Sequence, residues 1–141
     1  MNAPAPPGQG IGDEERLYRL ITTENWWTGG RVGSGAFSGE SFSVNRASLA
    51  TIEDCQRQLN EMGHSDGGVV SFLAGDARAL EFDVRAEADP LYPENLAHAH
   101  VFNNGGNSGR KKRAKKLVLS CVVEVAPRFD ATSPSPPTAD F

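Results

Sequence analysis

The segment "NLAHAHVFNNGGNSGRKKRAKK" gathers two of the three histidines, a Gly/Asn loop and all four lysines of the chain. Side chains at i and i+2 of an extended strand share a face, so His98 and His100 can share a metal, or one can act as a general base. Zinc takes three or four ligands. Beyond this pair the sequence offers His64 and scattered carboxylates, with no C-x-x-C and no H-E-x-x-H, and no metal site is assigned. The bland alternative has Ala97, Ala99 and Val101 packing inward while both imidazoles face out.

In "SVNRASL", Ser43, Asn45, Arg46 and Ser48 stand where a strand gives way to a helix. Arg46 there can clamp a carboxylate or phosphate through two parallel hydrogen bonds, or these side chains can serve only to satisfy backbone groups at the junction. "WTGGRVGSGAF" is glycine-rich but lacks the G-K-[ST] of a phosphate-binding loop. It reads as a surface loop that offers Arg31.

The basic run is the most informative stretch. Arg110, Lys111, Lys112, Arg113, Lys115 and Lys116 are six of the fourteen basic residues, so the rest of the chain carries a charge of about −10. Cations at a helix start oppose the helix's own electrostatics. A bound anion would relieve that cost, with backbone amides of "NNGGNSG" as further donors. These six residues are the predicted contact for an acidic protein partner or nucleic acid. The acidic body argues against avid non-specific DNA binding. Phe102 is the nearest aromatic, a thin basis for stacking single strands.

The elements that must position these residues form an α+β pattern: a single small domain of about five short strands and two or three helices. "RLYRLIT", "SFSVN", "VVSFLAG" and the strictly alternating "EFDVRAEAD" read as strands, with "AHAHVF" as another. "ATIEDCQRQLNEMG" is the clearest helix: Thr51 and Asp54 suit a capping box, Ile52, Cys55, Leu59 and Met62 recur at helical spacing, and Gly63 ends it. "DARAL" suits one helical turn. The stretch 108–126 fits a helix, though "LVLSCVVEV" is equally suited to a buried strand.

Hydrophobic residues at 38% and charged residues at 23% are the proportions of an ordinary globular domain. Residues 1–13 and 129–141 are rich in Pro, Ala, Ser and Gly and read as disordered tails around one domain at 14–128. Cys55 and Cys121 look like small core hydrophobes. No stretch approaches the apolar length of a membrane span, and no secretory signal is evident, so the expected location is the cytoplasm.

"LYR", "SVNRASLATIEDC", "AGDARAL" and "ENLAHAHV" occur in an order that resembles a family of small bacterial proteins of unassigned activity. Those proteins have a Tyr-Arg opening strand, an S-V-x-x-A-S-L-x-T segment and a late A-H-A motif. That likeness covers roughly residues 16–120 and implies an accessory or partner-docking component of a toxin–antitoxin or phage-defence system. More distantly the chain is similar to the ADP-ribosyltransferase-like fold. That similarity would give Arg19 the first site position, Ser43 or Ser48 the second, and Glu81 or Glu87, by order alone, the third. It implies an enzyme acting on NAD or another phosphate-bearing ligand through Arg19, Ser43, Arg46 and His98. Without it, no cofactor is expected.

Overall fold

The computed structural model describes residues 10–89, 91 and 94–129. The strands are β1 (Arg16–Ile21), β2 (Trp27–Thr28), β3 (Arg31–Val32), β4 (Ser41–Arg46), β5 (Gly68–Leu73), β6 (Asp83–Arg85), β7 (His98–Phe102) and β8 (Val122–Val125). Three α-helices are interleaved with them: α1 (Ile52–Glu61), α2 (Ala74–Ala79) and α3 (Asn107–Val118). The domain is a small α/β mixture, as expected, but with eight strands rather than about five. Six form one antiparallel sheet in the order β6-β7-β4-β1-β5-β8.

The additional strands come from two misread stretches. Gly29 and Gly30 both take positive φ, 62° and 81°, the geometry of a two-residue hairpin turn. They let β2 pair with β3 inside a segment that reads as loop. The ambiguous run after the basic residues divides: α3 ends at Val118 and β8 begins at Val122. The helix takes only Leu117 and Val118 of "LVLSCVVEV"; the strand takes Val122–Val125, and it is an exposed to half-buried edge strand rather than the buried one expected.

Period-two alternation gives the main sheet two unlike faces. Leu17, Phe42, Val44, Phe72 and Val101 point to the main core, where α3 contributes Ala114 and Leu117. Phe37, Phe42 and Phe72 meet there edge-to-face with centroids 5.3–6.3 Å apart. The opposite face is only partly covered. α1 lies over β1 and β5 and buries Cys55 and Leu59 against Val69. Its start is the expected capping box, with Thr51 Oγ1 accepting from Asp54 N at 3.0 Å and Asp54 Oδ2 accepting from Thr51 N at 2.9 Å. Over β4 and β7 this face lines a cleft that opens to solvent, although Asn45 and His98 on it are themselves buried.

Both ends of the described chain pack into the domain. Ile11, expected in the N-terminal tail, is 6% exposed in the main core, and Phe129, expected to open the C-terminal tail, is 9% exposed. The remaining tail segments, 1–9 and 130–141, lie outside the described residues. Trp26 and Trp27 both pack against the main core, because a 3-10 turn (Glu24–Trp26) ends between them and changes the direction of the chain. No helix among the described residues is long and apolar enough to cross a membrane.

Candidate functional site

The four residues expected to form a catalytic set lie on two faces of the sheet. In register, Leu17 stands opposite Arg46 and Tyr18 opposite Asn45. Arg19 and Arg46 therefore point with Leu17 to the main core, while Ser43 points with Asn45 to the open face. His98 pairs with Asn45 across β4 and β7 and shares that open face.

Arg46 is fully buried. Its Nη2 and Nε donate to Glu15 Oε1 and Oε2 at 2.9 and 3.2 Å. The same carboxylate accepts from Ser48 N at 3.3 Å and from Ser48 Oγ. Burial pushes the Glu15 carboxyl up, but the hydrogen bonds from Arg46 and Ser48 and the guanidinium charge outweigh it and hold the group below its usual value. The clamp anticipated at Arg46 is real, and it grips the protein's own Glu15. Arg46 and Ser48 thus serve the fold.

Arg19 lies between Trp26 and Phe42, its guanidinium carbon 4.5 and 5.2 Å from the ring centroids. It donates to the carbonyls of Ala36 at 3.0 Å and Ser43 at 3.4 Å. Withdrawal from water lowers its pKa to about 10. It fastens the segment before β4, and β4 itself, to β1. Neither glutamate suggested for a third position joins it. Glu81 is exposed in a left-handed turn with φ 73°. The exposed Glu87 carboxylate lies 3.9 Å from Arg85.

Ser43 and His98 do meet. His98 Nε2 is 3.0 Å from Ser43 Oγ, and Nδ1 is 2.6 Å from the Glu87 carbonyl oxygen. A carbonyl only accepts, so Nδ1 carries the proton of the neutral ring, and Nε2 is the acceptor for the Ser43 hydroxyl. Asp89 Oδ2 lies 3.9 Å from Nε2. One turn of the pleat away, His100 Nε2 pairs with Ser41 Oγ at 3.1 Å in a more exposed position. Burial, and then the neighbouring His98, push the His100 pKa down.

Ser43 and His98 form part of the floor of a cleft of about 540 Å³ between α1 and the segment before β7, a size usual for small-molecule sites. Asn45 Nδ2 donates to Gln58 Oε1 at 2.7 Å, and Asn95 Nδ2 donates to Asn45 Oδ1 at 2.9 Å, an amide chain that joins the two walls. Asp54, Glu61, Asp89 and Glu94 line the cleft together with two arginines, Arg19 and Arg57, and Arg57 pairs with Asp54 at 2.9 Å. Met62 and Leu96, 40% and 65% exposed, add apolar surface at the walls. Among the described residues no three His, Cys, Asp or Glu side chains converge as metal ligands.

The basic segment lies elsewhere, on α3. Arg110 donates to the carbonyls of Gly105 at 2.8 Å and Ser38 at 3.4 Å. Arg113 donates to Asn103 Oδ1 at 2.9 Å and to the Asn104 carbonyl. These two cations tie down the Gly/Asn loop instead of facing a partner. Lys111, Lys112, Lys115 and Lys116 are exposed and form no ion pair among the described residues. The helix starts at Asn107, with Gly106 at the N-cap position and no side-chain cap, and Lys115 and Lys116 occupy its last turn. Cations are favoured there, so the expected clash with the helix dipole does not arise.

Sequence reading missed Leu119, the residue that closes α3, which is 81% exposed. At about 100° per residue, Lys111, Lys115, Leu119, Lys112 and Lys116 fall within a sector of about 140°, with Leu119 in its middle. Helical projection of the basic run would have revealed it. The Asn45–Gln58–Asn95 chain carries no such signal, because its members are brought together only by the fold.

No protein-family model matches the chain, and no curated protein or solved structure matches it.

Proposed function

We propose that the protein works by docking an acidic protein partner on the exposed face of α3. The observation that carries this reading is the sector of four lysines on α3 that ends at the exposed Leu119, with no ion-pairing carboxylate among the described residues. A predominantly acidic chain keeps its lysines together on this surface. Complementary fields of this kind steer encounter and exclude like-charged competitors.

The apolar centre favours a protein over nucleic acid. An exposed leucine among cations suits a partner surface that offers both carboxylates and an apolar recess, since interfaces bury apolar anchors within a polar rim. Nucleic acid would take the lysines and leave Leu119 in contact with charged backbone. Exposed ion pairs contribute about 0.2–1 kcal/mol each, and burial of a leucine about 1.5–3 kcal/mol, so both parts of the patch are needed for useful affinity.

The test is capture from a lysate of the producing organism, with the intact chain as bait. Reversing Lys111, Lys112, Lys115 and Lys116 to glutamate removes the captured protein, and Leu119→Ser weakens capture by about tenfold or more. Nuclease treatment leaves capture unchanged. Retention of the same partner by the quadruple variant overturns the reading, and loss of the captured material to nuclease replaces it with nucleic-acid binding.

A further inference from the structure

The cleft on the other face of the sheet holds a reactive geometry that docking through α3 does not use. From it we propose that Ser43 and His98 form a nucleophile–base pair that accepts acyl groups from neutral or cationic esters.

Three features build the pair. The base is correctly protonated, since the Glu87 carbonyl at 2.6 Å holds the proton on Nδ1 and leaves Nε2 as acceptor. The nucleophile is in line with it, with Ser43 Oγ 3.0 Å from Nε2. A third group orients the base, as nucleophilic serine sites require. The backbone carbonyl serves that purpose here, and the Asp89 carboxylate at 3.9 Å stabilises the imidazolium once formed. His98 is 5% exposed and Ser43 is half-buried, and both line the cleft of about 540 Å³.

The reaction balances with water as the only co-reactant. Ser43 Oγ adds to the acyl carbon as its proton passes to His98 Nε2. The ester's alcohol leaves with that proton, and the acyl group stays on Ser43. Water, deprotonated by the same Nε2, then attacks the acyl-serine, releasing the acid and restoring the hydroxyl. The cleft lining also carries the side-chain amides of Gln58 and Asn95, whose N–H groups not spent on the Asn45 chain are candidate donors for the developing oxyanion.

Charge selects the substrate. Four carboxylates outnumber the two arginines of the lining, Arg19 and Arg57, and Arg57 is already paired with Asp54, so the cleft disfavours anions. Phosphate-bearing ligands such as NAD are disfavoured, the more so because Arg46 is committed to Glu15 and Arg19 to the carbonyls of Ala36 and Ser43. Met62 and Leu96 favour a substrate with an apolar portion.

The experiment is treatment of the full chain with a neutral alkyl fluorophosphonate, followed by peptide mapping by mass spectrometry. Ser43 is modified, and Ser41, beside the half-buried His100, is not. His98→Gln slows labelling by about 100-fold or more, the usual worth of a positioned general base, and a fluorophosphonate bearing a carboxylate reacts more slowly than the neutral probe. A wild-type chain that remains unlabelled at Ser43, or labelling that is indifferent to His98, overturns the proposal. The wild-type result stands whether or not the variants fold. A buried polar pair with only a structural role gives no labelling at all.

Discussion

Replacing Glu15 by alanine withdraws the carboxylate that faces a guanidinium with no solvent exposure. Four hydrogen bonds end on that carboxylate, two from Arg46 and two from Ser48. Removing one partner of a buried ion pair costs about 3–5 kcal/mol. The Glu15 side chain retains 10% exposure, which places the expected loss near the lower end, about 3 kcal/mol. Set against a domain stability of about 5–15 kcal/mol, that is a large fraction. In urea the midpoint falls by about 1–3 M at a slope of about 1–3 kcal/mol/M. The pH dependence has a definite sign. The Glu15 carboxyl is held below its usual value in the folded chain, so its contribution is fully present above the unfolded carboxylate pKa. It is lost as pH falls through the folded value, and the gap between wild type and Glu15→Ala narrows in acid. Arg46→Met in the Glu15→Ala background restores much of the loss, as replacement of a whole buried pair often does. A loss under about 1 kcal/mol, or one that does not narrow in acid, would refute the assignment of Arg46 to the fold and return it to the list of ligand clamps.

Two further outcomes follow from local structure. Thr51→Ala removes one half of the α1 capping box and lowers stability by about 1 kcal/mol in chemical denaturation, with little change in slope. Burial raises the thiol pKa of Cys55 to about 11 and of Cys121 to about 12. Both cysteines therefore resist iodoacetamide at pH 8 in the folded chain and react on unfolding, as a timed mass measurement will show.

Features set by local sequence were legible, and those set by long-range pairing were not. The α1 capping box and the alternation in β1 and β4 depend on neighbours within a few residues, and both appear as read. The hairpin at Gly29–Gly30 was hidden because two-residue strands are too short to display a period. The run "LVLSCVVEV" was ambiguous because its apolar residues satisfy both periods, and only packing of Leu117 in the core and pairing of Val122 with Ser71 divides it. For the site, residue types were legible and partners were not. Arg46 finds Glu15 across 31 positions and His98 finds Ser43 across 55, distances at which spacing carries no information. The α3 lysines needed no partner to be recognised, and all four are exposed.

Strand β4 carries Phe42 and Val44 into the core and Ser43 and Asn45 into the cleft. Alternate letters of one short word thus belong to separate economies, one answerable to folding and the other to whatever enters the opening. Descendants of this sequence can redraw the cleft by changing every second residue and leave the aromatic interior as it was. The domain is in that sense a frame whose chemistry can drift faster than its shape.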